Sequence, residues 1–348
     1  MQFAIIVFLI LIFAYQQAPK DGPFHEDYLS KQTTRTVQGV FVVMVFLRHF
    51  LDYYPCTAAI DKLLANASSY IGQLLIVPFF FVTGYGTMAS IERRGVDYVR
   101  EIPQKKILKL LVRFDIWVLL FAAYGLIIGK KYTLRRILLS LTGWVSVGNS
   151  NWYVLIILVF YILAYLAFRW SRNQWLSVSV TTVLIIGFAL FLKQYQTPHW
   201  YNTIFVLPCG MIYYMLKDRF DGFIHSHERL YPFIISLLVL LFAGVKQLGV
   251  KRNFLYYETW ACLFALILVV KSMKYKLSNR FFDFLGSHVF SIYIIQRIPM
   301  DLFSRIKFKP TIFGFLASFA ATVILAVLFD ELTAWVEKRI GSAGQGGS

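Results

Sequence analysis

One long apolar run, Val37 to Leu47, carries no charge and is followed at once by Arg48, His49 and Asp52. An imidazole there is a candidate general base or nucleophile, since both roles need only its neutral form. On a helix Asp52 lies three positions on and nearly on the same face, where a carboxylate would hold the imidazole tautomer and raise its basicity. The competing arrangement is an Arg48–Asp52 ion pair that leaves His49 a bystander at the helix end. The residues alone leave both open. Other ionisable or amide groups also sit in apolar surroundings: Arg113, Glu258, Gln296, Arg297 and Asp301. Such groups cost about 2.5–3.5 kcal/mol at a bilayer centre, so each needs a reason. Glu258, Gln296 and Arg297 either line one polar pocket with His49 or, for Glu258 and Arg297, pair with each other to hold helices together.

The elements that must position these groups are membrane helices. Hydrophobic residues make up 58% of the chain, aromatics 18% and charged residues 15%, which leaves too little polar surface for a water-soluble globule. Stretches of about 20 apolar residues recur at roughly 3–16, 37–54, 69–90, 107–129, 151–169, 175–192, 199–216, 230–246, 254–270, 284–303 and 311–335. The pattern predicts an all-α, polytopic transmembrane bundle of about 10–11 membrane-spanning helices, a single domain over residues 1–340. Residues 341–348, rich in Gly and Ser, read as a flexible linker. The first apolar stretch lacks a leading Lys or Arg and a small-residue cleavage site, so it reads as a retained helix. Cys56, Cys209 and Cys262 are odd in number and dispersed, and suggest neither a disulfide framework nor a thiolate metal site.

A net charge of +17 would suggest nucleic acid in a soluble protein, but here the Lys and Arg residues fall between the apolar stretches and report orientation instead. Alternate connections carry 20 and 12 of them, and the richer set is expected to face the cytoplasm. The segment from Lys130 to Trp144 then lies outside, where it reads as an amphipathic helix in the interface. On the cytoplasmic side, Arg93, Arg94, Arg100, Lys105, Lys106 and Lys109, with Arg113 inside the following span, form a basic stretch, and Lys105, Lys109 and Arg113 recur every fourth residue. Such a stripe, leading into the membrane, suits phosphate groups; the plainer explanation is positive-inside charge with snorkelling side chains. Asp115 is the expected partner of Arg113. Trp152, Tyr153, Trp200, Tyr201, Tyr256 and Tyr257 fall near the outer surface, where they suit either stacking on a sugar or an aromatic belt. His199, His225, His227 and His288 read as interface or helix-end residues. Asp221, His225, His227 and Glu228 lack a ligand spacing, so no metal is expected, and no G-x-S-x-G elbow, H-E-x-x-H or phosphate loop occurs.

Four stretches resemble, in order, the motifs of the acyltransferase 3 family of integral membrane acyltransferases. Gln38-Gly39 and the run ending in His49 look like its first conserved helix, in which an Arg or Lys precedes the histidine held essential for acyl transfer. Pro78-Phe-Phe-Phe81-Val-Thr83-Gly84-Tyr85-Gly86 is similar to its aromatic FF-x-x-SG helix, and Asn149-Ser150-Asn151-Trp152-Tyr153 to its Trp-aromatic helix start. The fourth, Phe284-Leu-Gly-Ser287-His288-Val-Phe-Ser291-Ile-Tyr293-Ile-Ile-Gln296, resembles the late LG-x-x-S-x-S-I-Y-L-I-H segment. Two positions depart: Gln38 stands where the basic residue is expected, and Gln296 where a histidine is common. Arg35, one turn earlier on the same face, is the nearest substitute for the missing charge. Eleven residues advance a helix by about 16 Å, so Gln38 and His49 can share one wall of one channel.

The resemblance is closest to the branch that modifies bacterial capsular and cell-wall polysaccharides, often by O-acetylation. It implies transfer of an acyl group, above all acetyl, from cytoplasmic acyl-CoA to a hydroxyl of an extracytoplasmic glycan, in the bacterial cytoplasmic membrane. No cofactor is implied beyond acetyl-CoA or another acyl-CoA as donor. The expected site has His49, Asp52 and Glu258 in catalysis, with Arg35, Gln38, Arg93, Arg94, Lys105, Lys109 and Arg113 on the donor. Arg48, Trp152, Tyr153, Gln296 and Arg297 are expected on the acceptor. His49 would serve as general base or carry the acyl group itself. No esterase-like outer domain, which some relatives carry, is expected, so transfer would finish in the membrane core or on a separate extracytoplasmic partner protein. The alternatives are a transporter or flippase for a glycan or lipid-linked intermediate, which predicts paired halves with matching broken helices, and a noncatalytic assembly subunit, in which His49 is replaceable.

Overall fold

Backbone polar groups in hydrocarbon can pair only with one another, and the apolar runs accordingly fold as helices. The computed structural model describes residues 16–345 apart from 20–21, 55–61, 63–65, 67–71, 250–252, 307, 309 and 310. The first predicted span, the loop around Lys62 and Asn66 apart from those two residues, and the far tip of the tail thus fall largely outside the described residues. The helices are α1 (Lys31–Phe50), α2 (Val77–Ile102), α3 (Lys109–Ile127), α4 (Leu134–Leu141), α5 (Trp152–Trp170), α6 (Gln174–Tyr195) and α7 (Val206–Ser226). They continue with α8 (Tyr231–Gln247), α9 (Phe254–Lys274), α10 (Arg280–Ser287), α11 (Val289–Ile295), α12 (Arg297–Ile306) and α13 (Thr311–Gln345). Among the described residues six stretches are long and apolar enough to cross a membrane, and the first of them, Gly72–Ile127, has length for two passes. Gly95 breaks that stretch with φ of +57°, a left-handed turn that favours glycine. Two-residue strands, Gln16–Gln17 and Lys276–Leu277, pair antiparallel.

Three departures from the sequence pattern bear on the site. The predicted span 284–303 is broken into α10, α11 and α12, with interruptions at His288 and Gln296. Pro299 lacks the N–H that would bond Ile295, which accounts for the second break. The predicted span 199–216 starts late, at Val206. Finally, α13 runs on to Gln345, into the stretch read as a linker. The amphipathic segment appears as α4, a short helix with Leu134 and Leu138 exposed.

Two crossings fix the motif helices by direct backbone contact. A Cβ at Gly39 would overlap the carbonyl oxygen of Phe282, and one at Gly286 that of Arg35, so α1 and α10 meet with no side chain between them. Gly84 against Leu207 and Gly210 against Phe81 do the same for α2 and α7. Close packing of this kind is how membrane helices gain dispersion energy where lipid is as apolar as leucine. The far half of α1 is held by rings: Phe46 lies 5.5 Å from Phe315 and 5.1 Å from Phe319, and Phe50 5.4 Å from Phe315, each near perpendicular. Edge-to-face pairs add about 0.5–1.5 kcal/mol each beyond their buried area.

Ion pairs and one hydrogen bond between distant segments sort the bundle into two ends. One end holds Arg35–Asp283, Lys109–Glu337 and Lys276–Asp27. The other holds Arg297 beside Asp52 and Tyr124 bonded to Asp301. The first is the basic end of the sequence pattern, and His49 belongs to the second.

Candidate active site

His49 occupies the last turn of α1, half-buried, with its ring 6.2 Å from that of Tyr293 on α11. Its Nδ1 is buried and makes no aligned hydrogen bond, and the same is true of the Oε1 of Gln296, whose side chain reaches the imidazole. Gln296 is wholly buried at the break between α11 and α12, with its Nε2 donating to the Tyr293 carbonyl at 2.9 Å. The helix interruption is what aims these two residues at His49. Arg297 follows directly; its Nε donates to Ser150 Oγ at 3.0 Å, and its Nη2 lies 3.7 Å from Asp52.

Asp52 does not orient His49. Its carboxylate accepts from Arg48 Nη1 at 2.8 Å, because the longer charged arm one turn away reaches it first, and Arg297 approaches from the other side. Glu258 is not beside His49 either. Fully buried on α9, it accepts from the N–H groups of Ile204 and Phe205, both at 3.0 Å, and so caps the start of α7. That carboxylate explains the late start of α7, and it leaves Arg297 to Ser150 and Asp52 rather than to Glu258.

From the basic end a cavity of about 260 Å³ enters the bundle. Lys105, Lys106, Lys109 and Arg113 line it on one wall, and Tyr161 and Tyr153 on another. Tyr153, expected at the outer surface, instead closes its depth, stacked on Phe80 at 5.2 Å and touching Tyr293 at 5.0 Å. The chain of rings from Tyr153 to Tyr293 to His49 therefore joins the cavity to the imidazole. Trp152 turns away, edge-on to His199 at 5.8 Å.

The cations differ in availability. Lys105 is paired with Glu101 at 2.7 Å and Lys109 with Glu337 at 2.6 Å. Arg113 is bound to Asp330, not to Asp115, since residues two apart on a helix point to different faces. Lys106, half-buried over the Tyr161 ring at 5.9 Å, has no carboxylate partner among the described residues. The remaining residues expected on the donor lie off the cavity. Arg35 makes a bidentate pair with Asp283, at 2.8 and 3.0 Å, so it does not supply the charge missing at Gln38. Gln38 is half-buried on α1, Arg94 is tied to Glu101 and covers Tyr98, and Arg93 is exposed.

A second polar cluster was not foreseen. Asp330 on α13 accepts from Arg113 and from Ser291 Oγ on one oxygen, and its other oxygen lies 2.6 Å from His288 Nδ1. An acid inside an apolar run is the signal that would have found it. Among the described residues no group of His, Cys, Asp and Glu is arranged to hold a metal.

No curated protein and no solved structure matches the chain. His49, set beside the helix break at Gln296, is thus joined through aromatic rings to a lysine-lined cavity. Residues 35–331 match the family model described as an acyltransferase domain, nearly the whole chain, and the protein belongs to the acyltransferase 3 family.

Proposed function

We propose that this membrane acyltransferase moves an acetyl group from acetyl-CoA, entering at the basic end, to a hydroxyl of a cell-surface or cell-wall glycan presented at the opposite end. The observation that carries this reading is the continuous line from the lysine-lined cavity through Tyr153 and Tyr293 to His49. Lys106 is the cation best placed for a donor phosphate, because its charge is not already matched by a carboxylate; Lys105, Lys109 and Arg113 add to the field but keep their partners. The pantetheine arm then lies along the tyrosines, with the thioester at the His49 end. His49 takes the proton of the acceptor hydroxyl as that oxygen attacks. Gln296, rather than Asp52, is the group that holds the imidazole: a small rotation lets Nδ1–H donate to its Oε1 and leaves Nε2 free as the base. Arg297, Arg48 and Asp52 form the polar rim that an acceptor meets. The protein would sit in the bacterial cytoplasmic membrane with the basic end inward.

The test is the purified protein in lipid nanodiscs, given acetyl-CoA labelled in the acetyl group and a panel of surface polysaccharides. Label should leave CoA and appear on a glycan as an alkali-labile ester. Label that stays on CoA with every acceptor, or that moves equally well in His49→Ala, sinks the reading.

A further inference from the structure

The hydroxyl of Tyr293 lies at the His49 end and is not used by the proton transfer. Tyr293 is 4% exposed, and its oxygen is buried without an aligned hydrogen bond. Ser150, whose oxygen accepts from Arg297, lies beside it but out of line for a full hydrogen bond. Buried hydroxyls almost always find a partner, and one left open next to a base calls for an explanation. Its ring lies between Tyr153, which closes the donor cavity, and His49. A thioester carried to His49 along that path brings its carbonyl past this hydroxyl. The Arg297 guanidinium, fixed by Ser150 and Asp52, places positive charge nearby and makes the O–H a stronger donor.

We infer that Tyr293 is a catalytic residue, the oxyanion donor of the transfer. This rests on the reading above. The acceptor oxygen, losing its proton to His49, bonds to the thioester carbon; the carbonyl π electrons move to its oxygen, and the resulting oxyanion accepts the Tyr293 O–H hydrogen bond. Collapse re-forms the C=O and breaks the C–S bond. The departing CoA thiolate takes the proton back from the His49 imidazolium, giving ester and CoA thiol with nothing left over. A donor aimed where charge develops acts on the transition state and not on ground-state binding.

The experiment compares wild type with Tyr293→Phe, full chain in nanodiscs, in three measurements: acetyl transfer, melting temperature and inhibition by a trifluoromethyl-ketone analogue of acetyl-CoA, whose hydrate mimics the oxyanion. Removing one such donor typically costs 10²–10³-fold in kcat. The expected result is a loss of that order with KM for acetyl-CoA within about twofold, an unchanged melting temperature and inhibition weakened by a similar factor. A kcat within about threefold of wild type overturns the assignment, as does a loss that tracks KM or melting temperature while inhibition stays put. Should wild type itself never release label from CoA, the transfer reading fails first, and that outcome is recognised before any variant is made.

Discussion

The two polar clusters of the bundle differ in how they are satisfied. At the basic end both oxygens of Asp330 are engaged, by Arg113 and Ser291 on one and His288 on the other. At the opposite end His49 Nδ1, Gln296 Oε1 and the Tyr293 hydroxyl are all buried with no aligned partner. A buried polar atom left unpaired costs about 1–3 kcal/mol, so three kept together are what a substrate would be expected to satisfy under the function proposed above. At the first cluster a single atom, Arg113 Nε, is left unpaired against three at the second, and that contrast is what marks the second as the candidate site, although each contains a histidine.

The contrast breaks most visibly at His49. His49→Ala should lower acetyl transfer by 10²–10⁴-fold, the usual worth of a positioned base, with acyl-CoA binding and folding retained. Activity above about a tenth of wild type, read from initial rates, removes the residue from catalysis. The wild-type rate should also fall on the acid side, where a protonated imidazole cannot take a proton. At the other cluster the expected loss is of stability. Asp330→Asn leaves Arg113 without its carboxylate and should cost about 3 kcal/mol, seen as an early thermal transition in detergent, with the kcat of the folded fraction little changed. A fall in kcat without a fall in melting temperature would make this cluster part of the reaction.

Smaller changes sharpen the distinction. If Gln296 orients the imidazole, Gln296→Leu should forfeit roughly tenfold of the base's contribution and shift the pH–rate profile. Asp52→Asn should leave the profile in place and share a stability loss of about 0.2–1 kcal/mol with Arg48→Gln, measured as coupling in a double-mutant cycle. The reverse pattern restores Asp52 as the orienting group. Among the lysines, Lys106→Gln should raise KM for acetyl-CoA by about tenfold, the equivalent of roughly 1.4 kcal/mol, with kcat nearly intact. Lys109→Gln should raise it less, since Glu337 already takes part of its charge. Equal effects would show that the cavity senses only total charge.

Much of this architecture is legible in the sequence because its signals are periodic and local. Apolar length marks the helices, and the i, i+4, i+8 spacing of Lys105, Lys109 and Arg113 places them on one wall of one cavity. What escapes is anything decided by the rotation of one helix against another. Tyr153 lies at a helix start that the charge pattern puts outside, yet its side chain points down a cavity entered from the basic end. Glu258 resembles an intramembrane acid awaiting a proton until Ile204 and Phe205 present their amides to it. Asp330 stands five residues before the predicted end of its span, where an acid passes for a helix terminus. Asp52 had two partners within reach along the chain, and only side-chain length together with Arg297, remote in sequence, decided between them.

The glycine notch between α1 and α10 acts as a ruler. With Gly39 pressed on Phe282 and Gly286 pressed on Arg35, a one-residue slide of α1 would drive a side chain into a carbonyl. Counting ten residues from that notch at about 1.5 Å each sets His49 at a depth of roughly 15 Å along the helix, and nothing short of unseating the crossing can change it. On the proposed mechanism the imidazole is therefore the stationary jaw. Whatever motion carries the donor to it and lets the product go must belong to other parts of the bundle, the jointed segment around Gln296 first among them.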